Sequence, residues 1–328
     1  MYMADIDFIV GIIITKVKMS KSIFFYLLVI VLGSLSSCKR PEDSTSHGKI
    51  TITADESLQP MVEQLCQAYE AIHPETSFKV LYRPEQQATA AVLKDSSRLA
   101  FITRELTSDE QRMLTSKGIR YNPQYIATDG VALLTNRTNI DSLITLEELS
   151  SVFKGKTRNW NQLKNGNKNN DIVLVFDNAN SSNLNFIMKK FGLTDVKGLN
   201  IFSAGSNKKV IEYVRENPNA LGFIGVNWIS DGDVPLTAEL SKGLRVMGVS
   251  EKANPTKEDY YQPFQRDLKY KTYPLHRKVY VINREMHAGL GSGMVNYIMR
   301  DVGSLIIEKC GLWPTKPFNR EVIIKKDI

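Results

Sequence analysis

Ser57, Thr89 and Ser181 each stand where a loop hands over to a helix, and each brings a hydroxyl to backbone N–H groups that the helix leaves unpaired. The three loops are Ala54 to Leu58, Glu85 to Thr89 and Asn180 to Asn183. A helix N-terminus carries free amides and a partial positive charge. Several of them aimed at one point can hold an anion without many Lys or Arg. Ser and Thr also cap helices, which is their commoner work at such places. Capping and ligand binding both remain open for each hydroxyl.

Other chemistries find less support. The four histidines, His47, His73, His276 and His287, are scattered and show no metal-ligand spacing. Gly289-x-Gly291-x-Gly293 precedes a helix, but it lacks the strand before it and the Lys of a phosphate cradle. No carboxylate pair is anchored beside a nucleophile and a His, so an enzyme is not expected. No cofactor is expected either. A net charge of +7 spread along 328 residues, without interleaved aromatic and basic residues, argues against nucleic acid as a partner.

The elements that must position these residues begin after a secretory signal. Lys16, Lys18 and Lys21 precede an apolar run, Ile23 to Leu32, and Leu35-Ser36-Ser37-Cys38 follows it. That order of basic, apolar and small residues makes a signal peptide over 1–37. The run is shorter than the roughly 20 residues a membrane-spanning helix needs. Met19-Ser20-Lys21 is a better start for it than Met1. The cut site resembles a bacterial lipobox, which implies acylation of Cys38 and a membrane anchor. Residues 38–48 then read as a flexible tether. Cys66 and Cys310 are either one disulfide or two buried thiols on apolar helix faces.

From Lys49 onward, strands and helices alternate. Strands are expected at 49–53, 77–82, 99–103, 124–136 (broken at Asp129-Gly130), 171–176, 221–226, 244–249 and 278–282. Helices are expected from Asp55 with Leu58, Met61, Leu65, Tyr69 and Ile72 on one stripe, at 88–94, behind capping boxes at Ser108 to Gln111 and Thr145 to Glu148, at 182–191, at 207–216, and near the end. The fold class is α/β with largely parallel sheets.

Five stretches carry a resemblance. They are Ile50 to Pro74, Ala127 to Asn136, Leu146 to Trp160 with an L-x-x-x-F-x-G-x-x-x-x-W pattern, Ala220 to Gly225, and Tyr273-Pro-Leu-His-Arg277. In that order they resemble the phosphate-binding proteins of bacterial phosphate ABC transporters, the PstS type, over nearly all of residues 49–315. The resemblance implies a two-lobed type 2 periplasmic-binding fold, with a small anion, phosphate first, in the cleft. It implies a monomer that serves an ABC permease from the cell envelope. Residues 49–129 and 250–328 would form lobe 1, and 130–249 lobe 2.

The resemblance also implies a ligand set: Ser57 and Leu58 from the first loop; Gln87, Ala88 and Thr89 from the second; Arg104 after the third strand; and Asp177, Ser181, Ser182 and Asn183 from lobe 2. One departure stands out. Where the family has R-x-x-x-S-G-T, this chain has Asp177-Asn-Ala-Asn-Ser181-Ser182-Asn183, with an acid in place of Arg. A lipoprotein of this fold with another ligand, or with a protein partner, is the alternative that Asp177 favours.

Overall fold

A computed structural model describes residues 43–164, 166, 169–230 and 242–318. The signal peptide and Cys38 lie outside the described residues. Strand β1 (Gly48–Asp55) opens with Lys49 exposed between buried Gly48 and Ile50, then is buried from Ile52 to Asp55. It sits between β2 (Thr76–Arg83) and β3 (Leu99–Ile102), both parallel to it. Helix α1 (Gln59–Ile72) follows a 3-10 turn at Glu56–Leu58, with Pro60 in its first turn, where a missing N–H costs nothing. Met61, Leu65 and Tyr69 are buried as expected. Ile72 is exposed, because the stripe runs out at the helix end.

The strand expected to break at Asp129-Gly130 is continuous. β4 (Gln124–Asn136) is buried from Ile126 onward, and at residue 130 it changes partners instead of stopping. Gln124 to Gly130 pair with β11 (His276–Asn283), and Val131 to Leu134 pair with β8 (Ala220–Gly225), both antiparallel. Beyond β8 lie β6 (Val173–Phe176) and β7 (Ile201–Ser203), parallel to one another. The sheet order is thus β2-β1-β3-β11-β4-β8-β6-β7. Parallel pairs lie towards the two outer edges, where helices form the connections. Antiparallel pairs gather at β4 and β11, because those strands carry the chain out and back.

Helices α2 (Glu85–Leu93), α3 (Ser108–Thr115) and α4 (Leu146–Phe153) come next in chain order. They are followed by α5 (Ser182–Phe191) and α6 (Asn207–Glu216). The capping box of α3 is Thr107 with Glu110, one residue earlier than its sequence suggested, while that of α4 is Thr145 with Glu148. The expected 244–249 strand is two short ones, β9 (Leu244–Val246) on β4 and β10 (Gly248–Ser250) on β5 (Leu143–Thr145).

The family-like motifs are largely core. Leu149, Phe153 and Trp160 are buried. Gly155 takes φ +70, a conformation that favours glycine. Phe223 stacks on Phe176 with centroids 4.5 Å apart. Tyr273 is fully buried, and its hydroxyl donates to the Val131 carbonyl at 2.6 Å, pinning the crossing strand.

One more expectation changes. The stretch 43–48, expected within a flexible tether, is fastened to the body at points while Ser44 to His47 stay exposed: buried Asp43 accepts the Leu290 N–H at 2.8 Å, and the Tyr69 hydroxyl reaches the Thr45 carbonyl. The Gly289 run opens α7 (Leu290–Ile298), and the Glu285 carboxylate takes the Gly291 and Ser292 amides at 2.9 and 2.7 Å. A Cβ on Gly291 would meet that carboxylate at 2.8 Å, so the glycine makes room for an internal acid. Cys66 and Cys310 are both buried thiols and form no disulfide, the second of the two readings left open.

Candidate anion site

Asp55 ends β1 and sits at the centre of the site. Its Oδ1 accepts the Ser57 N–H at 2.9 Å, the Ser57 hydroxyl, and the Ser182 hydroxyl at 2.9 Å. Ser57 belongs to the 3-10 turn after β1, whereas Ser182 is the first residue of α5. Arg277 reaches the same two hydroxyls from β11, Nη2 to Ser57 at 2.9 Å and Nη1 to Ser182 at 3.2 Å. Its Nε and Nη2 bind Asp129 Oδ2 at 2.9 and 2.8 Å. Arg277 and Asp129 are directly paired residues of β11 and β4, so strand register alone places the ion pair. Five groups from four parts of the chain thereby meet at one buried point.

Close approach of backbone is part of the design. A Cβ on Gly225 would lie 2.8 Å from the Ser57 carbonyl and 2.9 Å from Asn227 Nδ2. Only glycine lets the end of β8 come this near the first loop. Asn227 Nδ2 then donates to that same Ser57 carbonyl at 2.9 Å. Glu56 ties the loop to α6 by accepting the Asn207 N–H at 3.0 Å and its side-chain amide at 2.7 Å.

The heart of the site is acidic. Burial and the nearby Glu85 carboxylate push Asp55 up to about 7, against the pull of Arg277, Ser57 and Ser182. Asp177 is pushed up to about 6, chiefly by burial, with Glu56 adding repulsion and the Ser181 hydrogen bond opposing both. Burial also raises Asp129, although Arg277 offsets part of this.

The residues anticipated from sequence divide into groups. Ser57 and Ser182 meet in the cluster, and Leu58, fully buried, follows Ser57 as the N-cap of α1. Asp177 is buried and holds the Ser181 hydroxyl and the Asn178 amide. Ser181 also caps α5. Asn183 is fully buried and donates to Asn207 Oδ1 at 3.3 Å and the Phe223 carbonyl at 3.4 Å.

The second loop differs from expectation. Because α2 starts at Glu85, directly after Pro84, the Gln87 and Ala88 amides donate to the Pro84 carbonyl at 2.8 and 3.1 Å inside the helix. They are not free for a ligand. Thr89 is buried a turn further on, and its hydroxyl finds no hydrogen-bond partner among the described residues. Arg104 is held by two carboxylates: Glu110 at 2.7 and 2.9 Å, and Glu85 Oε2 at 3.3 Å.

Arg277, Asp129 and Asp55 were not among the residues anticipated. Arg277 and Asp129 lay inside motifs that served only as family marks. Asp55 closes a strand, and the carboxyl ends of strands are where α/β sheets bind ligands.

The cluster opens through Ser182 and Arg277 into a cavity of about 1130 Å³. Its wall carries Arg104, Lys189, Lys190, Lys271 and Lys278 against Glu85, Glu105 and Glu110.

Comparison with known proteins places this geometry. A PBP superfamily domain matches residues 40–302. Phosphate-binding protein PstS 2 of Streptococcus pneumoniae is 29% identical over 117 residues, 36% of this chain and 38% of that protein. The chain thus spans under two fifths of that relative. PstS of Staphylococcus saprophyticus is 18% identical over 279 residues, 84% of this chain and 83% of that one. A Clostridium perfringens protein solved with bound phosphate superposes at TM-score 0.69 and 20% identity, covering 82% of this chain and 100% of its own. An ABC-type phosphate transport receptor from Vibrio cholerae gives 0.58 at 21%, covering 81% and 99%. With most of its length inside the family match, and with two lobes built on a shared crossing strand, the chain belongs to the PBP superfamily and has the type 2 periplasmic-binding fold.

Proposed function

We propose that the chain is an extracytoplasmic solute-binding protein that holds phosphate, or a related small oxyanion, between its lobes for an ABC importer. It does so without covalent chemistry. One observation carries this reading: the Ser57 and Ser182 hydroxyls and the Arg277 guanidinium converge from separate elements on one buried point. Two hydroxyls and a planar cation are what an oxyanion needs. The relatives named for phosphate binding agree with it.

Asp55 now occupies the two hydroxyls, and Asp129 holds the guanidinium. An incoming oxyanion takes over the Ser57 and Ser182 hydrogen bonds as Asp55 yields them. The lobes we assign are 49–129 with the chain from β11 onward, and 130 to about 261, so the return expected at 250 moves later. The change of partners after Gly130 supports the first boundary. The Val249–Tyr261 bridge keeps the segment after 250 with β10, so the return to lobe 1 falls between Tyr261 and β11.

Calorimetry with inorganic phosphate tests the reading. Ser182→Ala removes a hydrogen bond to a charged group, worth about 1.5–3 kcal/mol, so phosphate affinity should fall at least roughly tenfold. Unchanged affinity would remove Ser182 from the site.

A lipid anchor at Cys38 completes the proposal. Cys38→Ser should move the protein from the membrane fraction to the soluble one. A variant that stays membrane-bound with an uncut N-terminus would overturn the anchor.

Asp177 favours a second reading, an envelope lipoprotein of the same fold with a different ligand or a protein partner. The buried acid stands where the family keeps Arg, and it engages Ser181. No heat of binding across a panel of phosphate, sulfate and molybdate would favour that alternative.

A further inference from the structure

The cavity above the cluster is far larger than a bare oxyanion requires. Its volume of about 1130 Å³ compares with the ~300–1,000 Å³ of pockets for drug-sized molecules. A water molecule occupies only about 30 Å³ of liquid, and a tetrahedral oxyanion a few times that.

The wall has two characters. Tyr125, Tyr280 and Phe186 give it an aromatic part, with the two tyrosine rings tilted at 5.7 Å between centroids. Among the other lining residues four lysines and two arginines outnumber three glutamates, so the wall keeps a net positive charge. Each wall carboxylate is already engaged: Glu105 accepts the Tyr280 hydroxyl at 2.8 Å, Glu110 pairs with Arg104, and Glu85 holds Thr103 and Arg104. Lys189, Lys271 and Lys278 pair with no carboxylate among the described residues, and Lys278 Nζ lies 5.4 Å from the Tyr125 ring centroid.

We propose that this cleft takes an organic phosphate, a phosphoryl group carried on an apolar or aromatic body, in preference to the free ion. The inference rests on the oxyanion reading above. The phosphoryl group meets Ser182 and Arg277, which belong to both the cluster and the cavity. The body lies between Phe186 on α5 and the tyrosines of β4 and β11. The unpaired lysines draw in the dianion and screen it from the acids beneath.

Phenyl phosphate, inorganic phosphate and phenol are the probes, titrated by calorimetry into the full chain. Phenyl phosphate should bind at least about tenfold more tightly than inorganic phosphate, and phenol should not bind. Phe186→Ala should narrow that gap to less than about threefold, and Phe186→Leu, which keeps the core filled, should narrow it partly. Inorganic phosphate binding as tightly as phenyl phosphate would overturn the inference and leave the oxyanion reading intact. A gap unmoved by either Phe186 variant would overturn it too. If neither phosphate binds, the inference and the phosphate form of the oxyanion reading fall together.

Discussion

Arg277→Met is expected to cost the fold about 3–5 kcal/mol and to abolish oxyanion binding. The first effect comes from Asp129. That carboxylate is fully buried, and Arg277 holds one of its oxygens through two nitrogens at 2.9 and 2.8 Å. Met fills much of the space but leaves the charge uncompensated in a low-dielectric place. The loss should therefore be largely repaired by adding Asp129→Asn, which removes the orphaned charge. Binding should not be repaired, because no cation then faces Ser57 and Ser182. Urea denaturation follows the first effect and phosphate calorimetry the second. Phosphate affinity that returns in the double variant would show that Arg277 is structural only.

At pH 8, Asp55→Asn is expected to be more stable than the native chain by roughly 2–4 kcal/mol. Asp55 rises from 3.8 to about 7 on folding, mainly because burial penalises its charge. Between these values the folded chain holds a proton that the unfolded chain has released. Stability from this group is thus fully present below about pH 4 and falls as pH climbs through 7. Asp177, pushed up to about 6, contributes in the same direction over a narrower window. Asn cannot ionise, so the variant should lose most of the decline that the native chain shows between pH 4 and 7. Phosphate should also bind it at least about tenfold more tightly at pH 8, since the competing charge is gone. Urea midpoints measured every half unit from pH 4 to 8 check the first claim. Parallel slopes for the two proteins would mean that Asp55 is ionised without penalty and that the site is wetter than its burial indicates.

Both outcomes turn on one local fact. The donors that suit a ligand are held by the protein's own carboxylates, Asp55 on the hydroxyls and Asp129 on the guanidinium. The cluster is a buried network in which removing one member leaves another unpaired. The large cavity and its lysines lie just outside it.

Local patterns in the sequence were enough for much of the fold. The helices at 182–191 and 207–216 and the strand at 124–136 stand where hydrophobic period and capping residues put them. The Thr145 capping box and the buried Leu149, Phe153 and Trp160 were legible for the same reason, since each depends on neighbours a few residues away. Tertiary structure decided the rest. Asp129-Gly130 looks like a strand break, yet the strand continues because β8 takes over from β11 as its partner, a choice no local pattern encodes. Pro84 moves the start of α2 three residues earlier and so withdraws Gln87 and Ala88 into the helix. Arg104 offered a free guanidinium by position, but two carboxylates from α2 and α3 claim it. Arg277 became central only when antiparallel register set it opposite Asp129 and folding brought Ser57 and Ser182, 125 residues apart in the chain, within 3.2 Å of each other. Residue types along the chain said which groups could bind an anion. Which carboxylate each donor would meet first depended on contacts distant in sequence, and only the folded chain brings those together.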